Sequence, residues 1–207
     1  MRRSIKNLSR ILVLSVILLG LTANLNAAIL NNASFESTDS WTYSTNTTYF
    51  AGNYSNEWSS DGSWSYTLQR GTGTVYEGDY AQITQAGVDF TGVTSIVFDC
   101  QDKNIDPVLL QFLIDTQVVG EYSNDGDPIT PDYPDSWYGT ATVYNIEFEL
   151  PELVTGEHDF TIRMLENQTH YPGAVKTYAI DNVRLVPEPA TMCLLGLGAL
   201  SLIRRKK

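Results

Sequence analysis

Residues 63–69 read Ser-Trp-Ser-Tyr-Thr-Leu-Gln, so large apolar side chains alternate with polar ones. This period of two is typical of a β-strand with one face on a core and the other in water. Similar short segments recur through residues 28–186, and none has the spacing of an amphipathic helix. The sequence therefore predicts an all-β domain. The expected strands cover residues 29–36, 63–69, 80–85, 95–100, 109–115, 118–122, 142–150, 158–165 and 177–186.

The breaks between these segments are rich in Gly, Pro, Asp and Asn, the residues that tight turns require. Strands that follow one another without helices fit an antiparallel β-sandwich of the jelly-roll type. Residues 28–186 are long enough for one such domain with its own core, and too few for two.

The N-terminus has the layout of a secretory signal peptide. Basic residues between Arg2 and Arg10 precede an apolar run over residues 11–23, and small residues follow at Ala27 and Ala28. We expect signal peptidase to remove residues 1–27, or one residue more. The alternative is a transmembrane anchor, but the apolar run is shorter than the ~20 residues that a membrane-spanning helix needs.

The C-terminus, residues 187–207, combines three elements in order: Pro187-Glu188-Pro189, an apolar stretch over residues 192–203, and four basic residues. The prolines end a preceding strand, the apolar stretch predicts a helix, and the basic residues stop translocation. A short helix of this kind can insert by thinning the bilayer. This tail resembles the PEP-CTERM sorting signal. The resemblance implies a Gram-negative bacterium, a precursor held in the inner membrane by the C-terminal helix, and processing by an exosortase that sends the protein to the cell surface or beyond. A plain C-terminal anchor without processing is the alternative.

The charge of the domain excludes one class of partner. Residues 28–186 contain 23 acidic and five basic residues, because most of the chain's Arg and Lys lie in the two termini. Such a surface repels a polyanion, so we expect no nucleic acid partner. Cys100 is the domain's single cysteine, so no disulfide can form within it. Its place in an expected strand predicts a small buried side chain.

Several short motifs resemble the galactose-binding-like jelly rolls, a group that includes many carbohydrate-binding modules. The carriers are Asn31-Asn32-Ala33-Ser34-Phe35-Glu36, residues 87–93, residues 156–160 and the closing residues 178–185. In that fold the first and last strands lie side by side, which would bring Glu36 close to Asp181. Related modules hold a structural calcium there, and the resemblance implies that Glu36 and Asp181 bind Ca²⁺, an ion that prefers oxygen ligands. The alternative is that Glu36 accepts hydrogen bonds from backbone amides and Asp181 caps a turn with Asn182.

A sugar site needs flat apolar rings and a few polar groups that fix orientation. Two polar stretches, residues 49–64 and 123–138, carry such rings, and Trp58, Trp137 and Tyr138 are the candidates for ligand binding because polar residues flank them. Each could equally pin its own loop. We assign Trp41 to the core, and Trp64 also, because it alternates with Tyr66 and Leu68.

No catalytic motif stands out. The two histidines, His158 and His170, lack the neighbours of a zinc site or a Ser-His-Asp triad. We expect His158 at the surface and His170 in a loop. The acidic stretch 124–128, with Asp125 and Asp127, lacks the ligand spacing of an EF-hand. The sequence thus predicts a non-catalytic exported protein that contacts polysaccharide. The alternatives are a small polysaccharide hydrolase or lyase, and a matrix component that binds proteins.

Overall fold

The computed structural model describes residues 30–103, 108–123, 140–151, 154–169 and 176–188. In these ranges, all of the regular secondary structure consists of β-strands. The strands are β1 (Thr42–Thr45), β2 (Phe50–Ser55), β3 (Ser65–Arg70), β4 (Tyr80–Asp89), β5 (Val93–Lys103), β6 (Val108–Ile114), β7 (Gln117–Tyr122), β8 (Thr140–Glu149), β9 (Glu157–Glu166) and β10 (Lys176–Pro187).

The strands form two five-stranded sheets in which every pairing is antiparallel. The front sheet has the order β1-β4-β9-β6-β7, and the back sheet has the order β2-β3-β10-β5-β8. Consecutive strands cross from one sheet to the other, except in the hairpins β2-β3 and β6-β7. This alternation confirms the expected jelly-roll sandwich.

The core lies between the two sheets and is rich in aromatic rings. Phe98 of the back sheet packs on Phe112 of the front sheet with ring centroids 4.4 Å apart. Trp41 is 8% exposed and lies 5.4 Å from the ring of Phe35, which confirms its core assignment. Cys100 is buried, as expected. Alternate residues of strands such as β4 and β9 supply this layer, which is why the period of two in the sequence located most strands.

The expectation of an opening strand over residues 29–36 is wrong. Residues 31–34 form a turn, and Asn32 and Phe35 adopt positive φ angles of 54° and 55°. The first strand of the described residues is β1, which pairs with β4 in the front sheet, whereas β10 pairs with β3 and β5 in the back sheet. First and last strands are therefore not neighbours. The opening turn contacts β10 through a hydrogen bond from Val183 N to Ala33 O of 3.1 Å.

The assignment of Trp64 to the core is also wrong. Its side chain is 39% exposed, while Tyr66 and Leu68 are buried as expected. Strand β3 begins only at Ser65, so Trp64 belongs to the preceding loop and the alternation does not reach it.

Two β-bulges flank Asp99 in the middle of the back sheet. The register shifts at Asp181/Arg184 in β10 and again where β8 pairs with Phe98 and Cys100. Each bulge contains an asparagine with positive φ, Asn182 at 51° and Asn145 at 55°. Asp99 accepts hydrogen bonds from Asn145 N at 2.7 Å and Asn182 Nδ2 at 3.0 Å, so one carboxylate joins both bulges. Burial acts to raise the pKa of Asp99, but these bonds and the Arg184 charge outweigh it and lower the pKa.

The expected signal peptide and the apolar stretch of the tail lie outside the described residues. Within the residues that the structure does describe, no helix has the length and apolar character to cross a membrane.

Candidate functional site

Four polar side chains form a row across the outer face of the front sheet. Gln82 of β4 lies opposite Arg163 of β9, Arg163 opposite Gln111 of β6, and Gln111 opposite Glu121 of β7. Their chain neighbours point into the core, so these four side chains point away from it. With strands ~4.8 Å apart, the row is about 14 Å long. We call it the polar row.

Hydrogen bonds fix the side chains of the polar row in place. Arg163 Nε donates to Gln82 Oε1 at 2.8 Å, and Gln111 Nε2 donates to Glu121 Oε1 at 2.7 Å. Among the described residues, no hydrogen bond uses the terminal nitrogens of Arg163, Gln82 Nε2 or Glu121 Oε2. The row therefore offers donors and an acceptor whose positions are already set.

An apolar strip runs beside the polar row. Tyr80 lies opposite Leu165, and Leu165 lies opposite Leu109, on the same outer face. All three side chains are partly exposed. The Arg163 guanidinium lies 5.0 Å from the centroid of the Tyr80 ring, which places a cation–π contact between the strip and the row. This face can hold a ligand that combines many hydroxyl groups with apolar C–H faces.

Sequence patterns alone do not reveal the polar row. Each of its members lies in a segment of alternating polarity, but alternation says only that a side chain points outward. The register of four strands taken from different parts of the chain decides which outward side chains become neighbours. The one signal in the sequence is Arg163, a rare cation in an acidic domain and in phase with the outward residues of its strand.

Of the three aromatic residues predicted for the binding site, the structure describes Trp58. Trp58 lies in the loop 56–64 between β2 and β3 and is partly buried. This loop contacts the back sheet, so Trp58 lies on the opposite side of the sandwich from the polar row. Trp137 and Tyr138 lie outside the described residues, as do Asp125, Asp127 and His170.

Glu36 and Asp181 both hold the loop 56–64. Glu36 Oε1 accepts hydrogen bonds from Ser63 N at 2.7 Å and Trp64 N at 2.8 Å. Asp181 Oδ2 accepts from Ser60 N at 2.6 Å and from Asp61 N at 2.8 Å, and Asp181 Oδ1 accepts from Asn182 N at 2.7 Å. These contacts are those of the alternative to a calcium site, in which Glu36 and Asp181 accept hydrogen bonds from backbone amides.

These carboxylates do not fit a shared calcium ion as they stand. Donor hydrogens point at Glu36 Oε1 and at both oxygens of Asp181, and a cation at the same oxygens would face those hydrogens. In the described part of the chain, no group of three or more His, Cys, Asp or Glu side chains is arranged to hold a metal. Burial raises the pKa of Asp181, against the lowering effect of its hydrogen bonds. Calcium stays a prediction from the resemblance, and it would require the loop to release both side chains.

His158 lies at the surface end of β9, as expected. Its Nδ1 is 2.8 Å from Asp115 Oδ2, and its Nε2 is 3.1 Å from Thr155 O. The hydrogen bond with Asp115 raises the pKa of His158, and the same bond lowers the pKa of Asp115. The pair joins the β6-β7 turn to β9.

The first two residues of the Pro-Glu-Pro motif belong to the folded domain. Strand β10 includes Pro187, which lies opposite Val93, and Glu188 N donates to Gly92 O at 2.7 Å. The expected strand ended at residue 186. A proline is tolerated here because it is the last residue of its strand, where the missing N–H removes few of the hydrogen bonds between strands. Pro189 lies outside the described residues.

Comparison with known proteins gives one sequence match. Residues 185–207 match the PEP-CTERM protein-sorting motif. No curated protein sequence matches the chain. The chain therefore carries a C-terminal sorting motif of exported proteins that are made as membrane-anchored precursors.

Solved structures with a similar fold are mostly carbohydrate-binding modules. The module TmCBM61 in complex with β-1,4-galactotriose has 16% identity and a TM-score of 0.45, with 78% of this chain and 99% of that chain covered. The non-crystalline-cellulose-specific module CBM28 has 11% identity and a TM-score of 0.47, covering 77% and 94%. The enzymatically active domain of bacteriophage CBA120 tailspike protein 4 has 18% identity and a TM-score of 0.45, covering 78% of this chain and 21% of that one.

Proposed function

We propose that this protein is exported and binds a neutral polysaccharide through the outer face of its front sheet. The observation that carries the proposal is the polar row, whose oriented amide, guanidinium and carboxylate groups adjoin an apolar strip. A row about 14 Å long suits several linked sugar units better than a single one.

The charge of the domain favours a neutral ligand. With 23 acidic and five basic residues in positions 28–186, the domain repels polymers of uronic acids or sulfated sugars. Arg163 is one cation among many acids and is stacked on Tyr80. Its terminal nitrogens suit hydroxyl oxygens of a neutral sugar.

Binding without catalysis is part of the proposal. Hydrolysis of a glycosidic bond requires two carboxyl groups on either side of it. Glu121 is the one carboxylate of the polar row, and it is hydrogen-bonded to Gln111. The proposed role is attachment to a polymer.

Variants on opposite faces of the sandwich test the binding site. Arg163→Ala should weaken binding to neutral polysaccharides on a glycan array by about 10- to 100-fold, because a hydrogen bond to a charged group contributes about 1.5–3 kcal/mol. Arg184→Ala is the matched control, since Arg184 lies on the outer face of the back sheet and donates to Asn145 Oδ1 at 2.7 Å. The control should bind as the wild type does.

Three results would contradict this assignment. Loss of binding in Trp58→Ala with full binding in Arg163→Ala would place the site on the back sheet. A failure to bind any neutral polysaccharide would remove the proposed ligand class. Release of reducing sugar from a bound polymer would replace the binding role by a hydrolytic one.

Sorting is tested separately from binding. We propose that signal peptidase removes residues 1–27 and that an exosortase processes the tail in the inner membrane of a Gram-negative bacterium, releasing the domain to the cell surface or the matrix. Changing Pro187, Glu188 and Pro189 to alanine should leave signal-peptide removal intact and cause the unprocessed precursor to accumulate in the membrane. Release of a normal tail-less product from this variant would contradict the role of the motif.

A further inference from the structure

Four charged side chains are buried together at one end of the core. Arg70 of β3 and Lys176 of β10 lie directly opposite each other in the back sheet. Arg70 Nη1 is 2.8 Å from Glu166 Oε2, and Lys176 Nζ is 2.6 Å from Asp102 Oδ1. The side chains of Arg70, Glu166, Lys176 and Asp102 are 1%, 0%, 0% and 0% exposed. Two cations and two carboxylates thus lie together in the interior, and the proposed function uses none of them.

The Lys176–Asp102 contact brings an amine against a carboxyl group inside a rigid frame. Both residues lie on the two adjacent central strands of the back sheet, β10 and β5, and Asp102 is directly opposite Tyr178. Lys176 Nζ also lies 4.7 Å from the centroid of the Tyr178 ring, so the ring packs against the amine. The close contact of Lys176 Nζ with Asp102 Oδ1 acts to lower the pKa of this carboxyl group through its charge and a hydrogen bond. Proximity and charge hold this carboxyl group in place.

Burial pushes the pair towards its neutral forms. Burial raises the pKa of Asp102 to about 7, against the lowering effect of the Lys176 charge, and burial also lowers the pKa of Lys176. The cost of removing two ions from water can exceed their mutual attraction in the interior. Transfer of one proton from the ammonium to the carboxylate gives a free amine and a carboxylic acid at contact distance.

We propose that Lys176 and Asp102 form an intramolecular amide bond between Nζ and Cγ. The lone pair of the neutral Nζ attacks Cγ of the protonated carboxyl group and forms the C–N bond. One C–O bond breaks, and the hydroxyl group leaves with a proton from the nitrogen as one molecule of water. The step changes no oxidation state and needs no second substrate.

The surroundings favour this product. Two reactive groups fixed at contact distance have a high effective concentration, because the entropy of bringing them together is already lost on folding. The reaction removes one positive and one negative charge, so the remaining Arg70–Glu166 pair stays balanced. Cys100 is the only cysteine of the domain, so no disulfide can join its strands. An amide between β5 and β10 would supply a covalent link of another kind.

The tryptic map of the full chain, purified under denaturing conditions, tests the proposal on wild-type protein. Arginine and lysine positions define the peptides 71–103, which contains Asp102, and 164–176 and 177–184, which meet at Lys176. An amide at Lys176 blocks trypsin there. We expect a linked species with the summed mass of peptides 71–103 and 164–184 less one water molecule, and fragment spectra that place the link between Asp102 and Lys176.

Two variants act as matched controls. Lys176→Arg keeps the charge and the trypsin site but has no primary amine, so the linked species should disappear and peptide 164–176 should be released. Lys103→Arg changes the domain's other lysine, next to Asp102 but ion-paired with Glu57 at the surface, and the linked species should remain. Quantitative recovery of unlinked peptides 164–176 and 177–184 from the wild type would show that the pair is an ion pair only and would overturn the proposal. A link that persists in Lys176→Arg, or is lost in Lys103→Arg, would overturn the assignment as well.

Discussion

Replacing Asp181 by alanine should detach the loop 56–64 from the back sheet. The carboxylate is buried, and four hydrogen bonds end on it, from Ser60 N, Ser60 Oγ, Asp61 N and Asn182 N. Three of these donors are backbone amides, which have no other side-chain acceptor if Asp181 is removed. The loop carries Trp58, and Asp181 holds its middle at Ser60 and Asp61, while Glu36 holds its end at Ser63 and Trp64.

The size of the effect follows from the number and kind of bonds. Hydrogen bonds to a charged acceptor contribute about 1.5–3 kcal/mol each, but the loop lies near the surface and water can replace part of them. The buried charge also has a desolvation cost, which the raised pKa of Asp181 reflects and which the alanine variant no longer carries. We therefore expect Asp181→Ala to lower the free energy of unfolding by about 3–5 kcal/mol. Asp181→Asn keeps one acceptor oxygen and should cost less, about 1–2 kcal/mol.

Urea unfolding of the two variants measures these differences. Asp39→Asn is a control that removes one negative charge from an exposed side chain, and it should unfold as the wild type does. Hydrogen exchange of the Ser60 and Asp61 amides should become faster in Asp181→Ala. A loss of less than about 1 kcal/mol in Asp181→Ala, or an equal loss in Asp181→Asn, would refute the reasoning, because the three bonds from Ser60 and Asp61 to a buried charge could not then be what holds the middle of the loop.

Three further predictions concern charge and metal. Asp115→Asn should lower the pKa of His158 towards its ordinary value in an NMR titration, with the chain's second histidine as internal reference. In the wild type, the stability that this pair contributes is lost as pH rises through the folded pKa of His158. It is also lost as pH falls through the folded pKa of Asp115. Glu166→Gln removes the negative charge that Arg70 Nη1 contacts at 2.8 Å in the interior and should cost about 3–5 kcal/mol in urea unfolding, with a near-neutral result contradicting a stabilising ion pair. Adding calcium to chelator-treated protein should leave the melting temperature unchanged if amides hold the two loop-binding carboxylates, whereas a rise of several degrees would establish a metal site.

Most of the fold could be predicted because the strand signals are local. Eight of the ten strands lie where alternating β-branched and aromatic residues placed them. The two missed strands, β1 and β2, lack that signal: every residue of Thr42–Thr45 is exposed, and Gly52 and Asn53 make β2 resemble a loop. The strand expected to end at residue 85 continues to Asp89 through a bulge inside β4, with Gly87 at a φ of 67°. A glycine that permits positive φ looks the same in a bulge and in a turn.

The sites could not be predicted because they depend on register. Lys176 is in phase with Tyr178 and Ile180, and Asp102 is in phase with Cys100, so the sequence does indicate two charged residues on core-facing positions. Only the pairing of Tyr178 with Asp102 brings them together. The same holds for the polar row, where β4, β9 and the β6-β7 hairpin must align within one residue.

Strand β10 also decides how the domain responds to tension. It lies at the centre of the back sheet between β3 and β5, and its last residue opens the sorting motif. If the tail is held at a surface while a bound polymer pulls on the front sheet, the load runs lengthwise along β10. Antiparallel hydrogen bonds lie perpendicular to the strand, so such a pull shears many of them at once instead of peeling them one by one. A tether that leaves from a central strand therefore makes the domain mechanically resistant to a pull along that strand.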